Sequence, residues 1–400
     1  MSVEGRRLVL RLRLRNLLSY GPESDTIALE PLNVVIGPNA GGKSNLIEAL
    51  SLLQAAPRDL AQCIRDGGGI AEWLWKGRDA EREAVVETVI ATPGSSLLSY
   101  HLCLAASGPT YEVSTESVGY WDRAAHVVCI PLYTQRGPEA TFHSRPDDEA
   151  VREERQLPPG TLNPRQSILS QRRDPDQYPE LTYLADQFAR IRLYREWGLG
   201  RRTAARLPQP ADLPEDFLLE SGENIGMVIN DMQHRHVPAM GRIVGLLRRF
   251  HDGLTDISTR VQGGTVQLFF HERGLSTPVP ATRISDGTLR YLCLLTILCH
   301  PEPPPLICIE EPELGLHPDI IPIIGELLID AAQRTQLVVT THSDRLVSAL
   351  SEVPEAVLIC ERTEQGSQLR RLEPDKLKEW LEKYSLGELW AMGEIGGNRW

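Results

Sequence analysis

The spacing of apolar and polar positions changes several times along the chain. Over residues 7–15, Leu10, Leu12 and Leu14 alternate with Arg11, Arg13 and Arg15. This period of two predicts a half-buried strand, not the unbroken apolar run of a signal peptide. Residues 32–36 form a short, mainly apolar run into Gly37 and predict a buried strand. From Lys43 the period lengthens, and Leu46, Ile47, Leu50 and Leu53 fall on one helical face. Strand alternation returns at 84–90, 97–104, 110–117 and 126–132.

The middle of the chain reads differently. A polar, proline-containing stretch at 145–164 predicts a long surface loop, and helical patterns follow at 181–197, 224–234 and 240–250. No heptad is sustained, so no long coiled coil is expected. Apolar runs at 306–309, 337–341 and 356–360 predict buried parallel strands, with helices from Pro318 and Ser343 between them. The expectation is an α/β molecule in three parts: a β-rich N-terminal lobe (1–135), a mainly helical insertion (136–260) and a C-terminal lobe of parallel strands (261–400).

Composition narrows the classes. With 400 residues, 41% of them apolar, the chain can bury a sizeable core. A net charge of -12 makes it a poor non-specific partner for nucleic acid or a membrane surface, unless charge is unevenly placed. No stretch approaches the roughly 18 apolar residues of a membrane span. The seven cysteines form no C-x-x-C pair, and several sit in apolar runs such as Leu306-Ile307-Cys308-Ile309. They read as reduced core residues of a cytoplasmic protein.

Four segments carry chemistry. Gly37-Pro38-Asn39-Ala40-Gly41-Gly42-Lys43-Ser44 matches G-x-x-x-x-G-K-[ST] and lies between an apolar strand and an amphipathic helix. Glycines there let backbone amides wrap phosphate oxygens, and a helix N-terminus adds a favourable dipole. Lys43 is expected to reach the β- and γ-phosphates of a nucleotide and Ser44 to bind Mg²⁺. The strand at 306–309 ends in Glu310 and Glu311. Glu310 is placed to hold Mg²⁺ through water, and Glu311 to polarise an attacking water; alone, such a pair also fits a solvated loop. The strand at 337–341 delivers His342, whose expected contact is the γ-phosphate or that water. Ser285, in Ile284-Ser285-Asp286-Gly287-Thr288, starts a helix running to about Cys299. It is a good N-cap and equally a phosphate site. A second phosphate site makes sense if it serves the nucleotide of another subunit.

In this order, the motifs resemble the ABC ATPase superfamily, and in particular its SMC/RecF/OLD branch. Glu310-Glu311-Pro312-Glu313, Leu316-His317-Pro318 and Thr340-Thr341-His342-Ser343-Asp344 are worded as in that branch. The segments 33–39 and 385–390 look like a RecF-like group of stand-alone ATPases. The resemblance spans nearly the whole chain and is weakest at 136–180. It implies a P-loop NTPase fold and a homodimer, or a higher oligomer, with ATP and Mg²⁺ between subunits. Each site would take Gly37–Ser44 and Asn45 from one copy and Ser285 and Gly287 from the other, with residues 315–317 in the linking D-loop position. Glu311, His342 and Lys43 would be catalytic, and Ser44 and Glu310 would hold the metal.

Three departures stand out. Asp286 replaces a usual glycine and must point away from γ-phosphate. Glu310 replaces the usual Asp, as is common in this branch. The Q-loop residue is open between Gln54 and Gln62. The resemblance further implies an ATP-driven switch acting through a separate effector protein, with anti-phage defence suggested by analogy. Long SMC arms and an appended Toprim nuclease domain are not expected. The alternative is a RecF-like DNA-binding repair ATPase. Its support is the basic stretch Arg190, Arg192, Arg195, Arg201, Arg202 and Arg206, with Tyr194 and Trp197 interleaved, which also fits an amphipathic helix with a solvated face. A transporter ATPase or a small-molecule kinase fits the motif set less well. His234 and His236 look like a metal pair, but on a helix they would face different ways and are read as surface residues.

Overall fold

A computed structural model describes residues 5–77, 81–143 and 154–397. The chain divides into two compact units. One is built chiefly from Arg7–Ile191 and Leu358–Leu372, the other from Arg192–Val357 and Glu373–Ile395.

In the first unit, eight strands among the described residues form an antiparallel sheet. It runs from Ile27–Ala28 through Val9–Arg15, Glu83–Ala91, Leu97–Ser107, Thr110–Asp122, Val127–Arg136 and Glu139–Phe142 to Arg155–Leu157. The alternation seen in the sequence sets its faces. Leu12 and Leu14 are fully buried, while Arg15 turns outward and pairs across the sheet with Glu87 at 3.1 Å. A buried carboxyl group is built into this unit. Glu116 accepts hydrogen bonds from Tyr100 Oη (2.7 Å), Ser167 Oγ and the Ile168 amide (2.8 Å), which anchors the start of the short helix Ile168–Gln171.

The strand Leu32–Ile36 is buried along its whole length and lies beside the hairpin Val357–Thr363 and Gly366–Arg371. A strand covered on both faces reads as a continuous apolar run, as this one does. The helix Lys43–Ala55 follows it and buries Leu46, Ile47, Leu50 and Leu53.

The second unit carries three parallel strands: Arg192–Tyr194, Leu306–Glu310 and Gln336–Thr340. Around them stand the helices Ile225–Arg235, Val237–Phe250, Asp286–Cys299 and Ile321–Ala331. The hairpin Leu254–Gln262 and Thr265–Glu272 forms a separate small sheet.

Two expectations need correcting. The helix expected at 181–197 is Pro179–Ala189 alone, and Arg192–Tyr194 is a strand in register with Ile307–Ile309. Pairing with a buried strand outweighs local helical periodicity here. The stretch expected to be mainly helical, 136–260, also holds strands at Glu139–Phe142, Arg155–Leu157, Arg192–Tyr194 and Leu254–Gln262. The expected loop at 145–164 falls partly outside the described residues. Among those described, the longest helices have 14 residues, or about 21 Å, so no long coiled coil is present. No helix among them is long and apolar enough to cross a membrane.

Candidate nucleotide site

The phosphate loop takes its shape from residues more than 300 positions away. Gly37 has φ +146°, and a Cβ there would meet the Cys360 carbonyl oxygen at 2.1 Å. Gly42 has φ +110°, and a Cβ there would lie 2.1 Å from Ser367 Oγ and 2.6 Å from Ser19 Oγ. Only glycine fits either position. The Gly41 carbonyl is fixed from outside the loop by Ser367 Oγ (2.6 Å) and Cys360 Sγ (3.1 Å), and Tyr20 Oη donates to the Gly42 carbonyl at 3.2 Å.

The Lys43 side chain is buried along the loop, and its Nζ donates to the Gly37 and Pro38 carbonyls at 2.8 Å each. Asn39, Ala40 and Ser44 are exposed at the mouth. Asn45 borders a cleft of about 1050 Å³, together with Ser19, Trp75, Lys76 and Arg362.

In the second unit the buried strand Leu306–Glu310 delivers the two carboxylates. Glu310 Oε1 sits 3.3 Å from Arg195 Nε. Glu311 adopts φ +44°, unusual for a residue with a side chain. Its amide donates to the Thr340 carbonyl at 3.0 Å, and its carbonyl accepts from Arg290 Nη2 at 3.1 Å. The bend brings Glu311 Oε1 to 3.7 Å from His342 Nε2, with each side chain about one-third exposed. Glu313 braces the same corner, accepting from Thr341 Oγ1 (2.6 Å) and the His342 amide (2.9 Å). Burial pushes its carboxyl pKa up, and the two donors oppose that shift. Glu311, Glu313 and His342 thus form one corner. The sequence pointed to two of them, and Glu313 was legible only as part of a motif's wording.

Ser285 is exposed and caps the helix Asp286–Cys299, its Oγ accepting from the Thr288 amide at 3.1 Å. Gly287 lies close to the Gly315 backbone: a Cβ there would be 3.0 Å from its carbonyl oxygen. Asp286 is turned onto Arg206, a fully buried guanidinium that also donates to the carbonyls of Leu199, Ala281 and Ile284. Asp286 was expected to point away from a γ-phosphate; its pairing with Arg206 was not identified from the sequence.

A protein-family comparison matches residues 32–97 and 133–348, more than half of the chain, to the family described as "AAA domain, putative AbiEii toxin, Type IV TA system". The chain belongs to this family. No curated protein sequence matches it. Among solved structures, an SmcHead bound to the C-winged helix domain of ScpA is 13% identical, with a TM-score of 0.59 over 92% of this chain and 99% of that one. The Smc head of Pyrococcus furiosus with an extended coiled coil is 12% identical, with a TM-score of 0.56 over 94% and 99%. The Smc head of Pyrococcus yayanosii with a coiled coil and joint is 10% identical, with a TM-score of 0.50 over 94% and 99%. This AAA-family member therefore has the fold of an SMC-type ABC ATPase head.

Within that fold the basic stretch is not a solvent-facing stripe. Arg206 is buried, Arg195 faces Glu310, and Tyr194 is buried with its hydroxyl donating to the Leu218 carbonyl. Arg190, Arg201 and Arg202 are exposed. Gln54 Nε2 donates to the Ile191 carbonyl at 2.8 Å, while Gln62 bonds Asp66 and Arg65 on its own helix. His234 is exposed, and His236 is half-buried with its ring edge-on to His300.

Proposed function

We propose that the protein is an ATP-hydrolysing switch that closes as a homodimer around ATP and Mg²⁺ and opens on hydrolysis. The observation that carries this reading is the phosphate loop: glycines in backbone conformations closed to other residues, at a helix N-terminus, with Lys43 lying along it. The amides of Gly37 to Ser44 would wrap the phosphates, with Lys43 neutralising the β- and γ-groups. The cleft at Asn45 is ample for the nucleoside. Ser285 and Gly287 of the second copy would contact the γ-phosphate; an exposed serine at the start of a 14-residue helix supports that role.

Ser44 and Glu310 would hold Mg²⁺. Their oxygen donors suit it, since Mg²⁺ takes one or two protein ligands and fills its remaining positions with phosphate and water. The ion would neutralise phosphate charge. Glu311 would take the proton from the attacking water, with His342 beside it to orient that water or the γ-phosphate.

We further infer that a separate protein reads the open or closed state. The family's description as a putative toxin of a toxin–antitoxin system supports a place in defence, and an SMC head solved with a domain of ScpA supports a protein partner. Seven cysteines, five of them buried, support work in the cytoplasm. The DNA-binding alternative draws no support from Arg195 and Arg206, whose guanidiniums are engaged within the unit.

Glu311→Gln tests the reading. It keeps shape but loses the base, so turnover should fall about 10²–10⁴-fold. Size-exclusion chromatography with ATP and Mg²⁺ should then show an accumulated dimer. Full turnover with no shift in elution would reject it.

A further inference from the structure

Arg290 lies one turn into the helix that Ser285 caps. Its guanidinium carbon sits 5.2 Å from the Trp197 ring centroid, and Trp197 stacks on Tyr194 with centroids 5.6 Å apart and planes 19° from parallel. Tyr194 belongs to the strand paired with Leu306–Glu310. The guanidinium is thus held against a stacked aromatic pair at the edge of the catalytic strand. From there Nη2 reaches the Glu311 carbonyl at 3.1 Å.

That carbonyl belongs to a residue at φ +44°, a conformation disfavoured wherever a Cβ is present. Such a backbone persists only when its surroundings over-determine it. Here the Glu311 amide is tied to the Thr340 carbonyl, and its own carbonyl accepts from Arg290 and from the Leu314 amide, each at 3.1 Å. With both peptide groups fixed, the side chain is aimed at His342. Glu313 fixes the other flank through Thr341 and the His342 amide.

We propose that Arg290 is a positioning residue for Glu311, tying the start of the helix Asp286–Cys299 to the backbone of the general base. The helix whose cap meets the nucleotide of the second copy then also sets the geometry of the base in its own copy. This rests on the assignment of Glu311 as base and of Ser285 as a γ-phosphate contact for the second copy. An arginine suits the task because its planar guanidinium stacks on an aromatic face while its edge donates a hydrogen bond; a lysine ammonium cannot do both. Its positive charge lies near the carboxylates of Glu311 and Glu313, which partly offset the effect of its own burial.

The test is a set of variants in the full chain: Arg290→Met, Arg290→Lys, Trp197→Leu, Glu311→Gln and the double variant Arg290→Met with Glu311→Gln. Arg290→Met should lower kcat about a hundredfold through misplacement of the base. Its affinity for a fluorescent ATP analogue should stay at the wild-type level, because the phosphate loop is untouched. Arg290→Lys should recover part of the loss. Trp197→Leu, which leaves the guanidinium but removes its platform, should cost about tenfold and serves if Arg290→Met does not fold.

The double variant decides the matter: if Arg290 acts through Glu311, adding Arg290→Met to Glu311→Gln should slow it no further. Wild-type kcat in Arg290→Met, or the same fold-loss in both backgrounds, would overturn the proposal. Full turnover in Glu311→Gln alone would instead remove the assignment of the base on which the proposal rests.

Discussion

Gly42 shows how far local chemistry here depends on remote residues. Its neighbours in space, Ser19 and Ser367, come from opposite ends of the chain. Gly42→Ala would place a methyl group on the Ser367 hydroxyl at an unfavourable φ, and should cost about 1–3 kcal/mol. Thermal unfolding checks this, and an unchanged midpoint would contradict the geometry. The glycine itself was legible from the sequence because the phosphate-loop pattern demands it. Ser367 was not, because nothing in Gly366-Ser367-Gln368 marks a residue that fixes a loop 326 positions away. Arg195 and Arg206 were hidden for a related reason. A run of arginines reads as a basic surface, and only folding shows that one guanidinium faces Glu310 and another is buried on carbonyl oxygens.

At the scale of elements, legibility followed burial. The apolar strands at 32–36 and 306–310 and the helix from Lys43 were readable, because full burial and helical spacing leave strong periodic marks. The hairpin Leu254–Gln262 and Thr265–Glu272 was passed over, although Gly263-Gly264 between two alternating runs is a hairpin signal. Arg192–Tyr194 was misassigned because three residues are too few to show a period.

One junction of elements should respond to pH. His300 ends the helix Asp286–Cys299 and packs edge-on against Phe217 and His236, the latter joining the helices Ile225–Arg235 and Val237–Phe250. Burial lowers its pKa from 6.5, and the neighbouring His236 adds to the shift, while Asp231 and Glu302 oppose it. With the folded value below the unfolded one, the unfolded chain binds the proton more tightly. The stability contribution is complete above the unfolded pKa and is lost as pH falls from about 6.5 through the depressed folded value. Unfolding midpoints should therefore drop on acidification from about pH 7.5 to 5.5, and His300→Phe should flatten the dependence. An identical slope in wild type and variant would refute the assignment.

For the whole molecule, the motifs are divided between the two units. The phosphate loop lies in one, and the carboxylates, His342 and the helix Asp286–Cys299 lie in the other. The order of motifs was readable from the sequence, and it pointed to the ATPase-head fold. The discontinuous partition was not, because the segment Leu358–Leu372 returns to the first unit after a long excursion. The central claim is that Lys43 and Ser285 of different copies serve one ATP. Lys43→Ala and Ser285→Arg proteins should each be nearly inactive. Mixed, they should regain activity in proportion to the heterodimer formed, because one site then has wild-type Lys43 from one chain and wild-type Ser285 from the other, while the second site carries both lesions. The decisive measurement is ATPase rate against mixing ratio. The curve should peak near an equal mixture. A flat line at mutant-level activity, with heterodimers demonstrated in the same samples, would contradict the shared site.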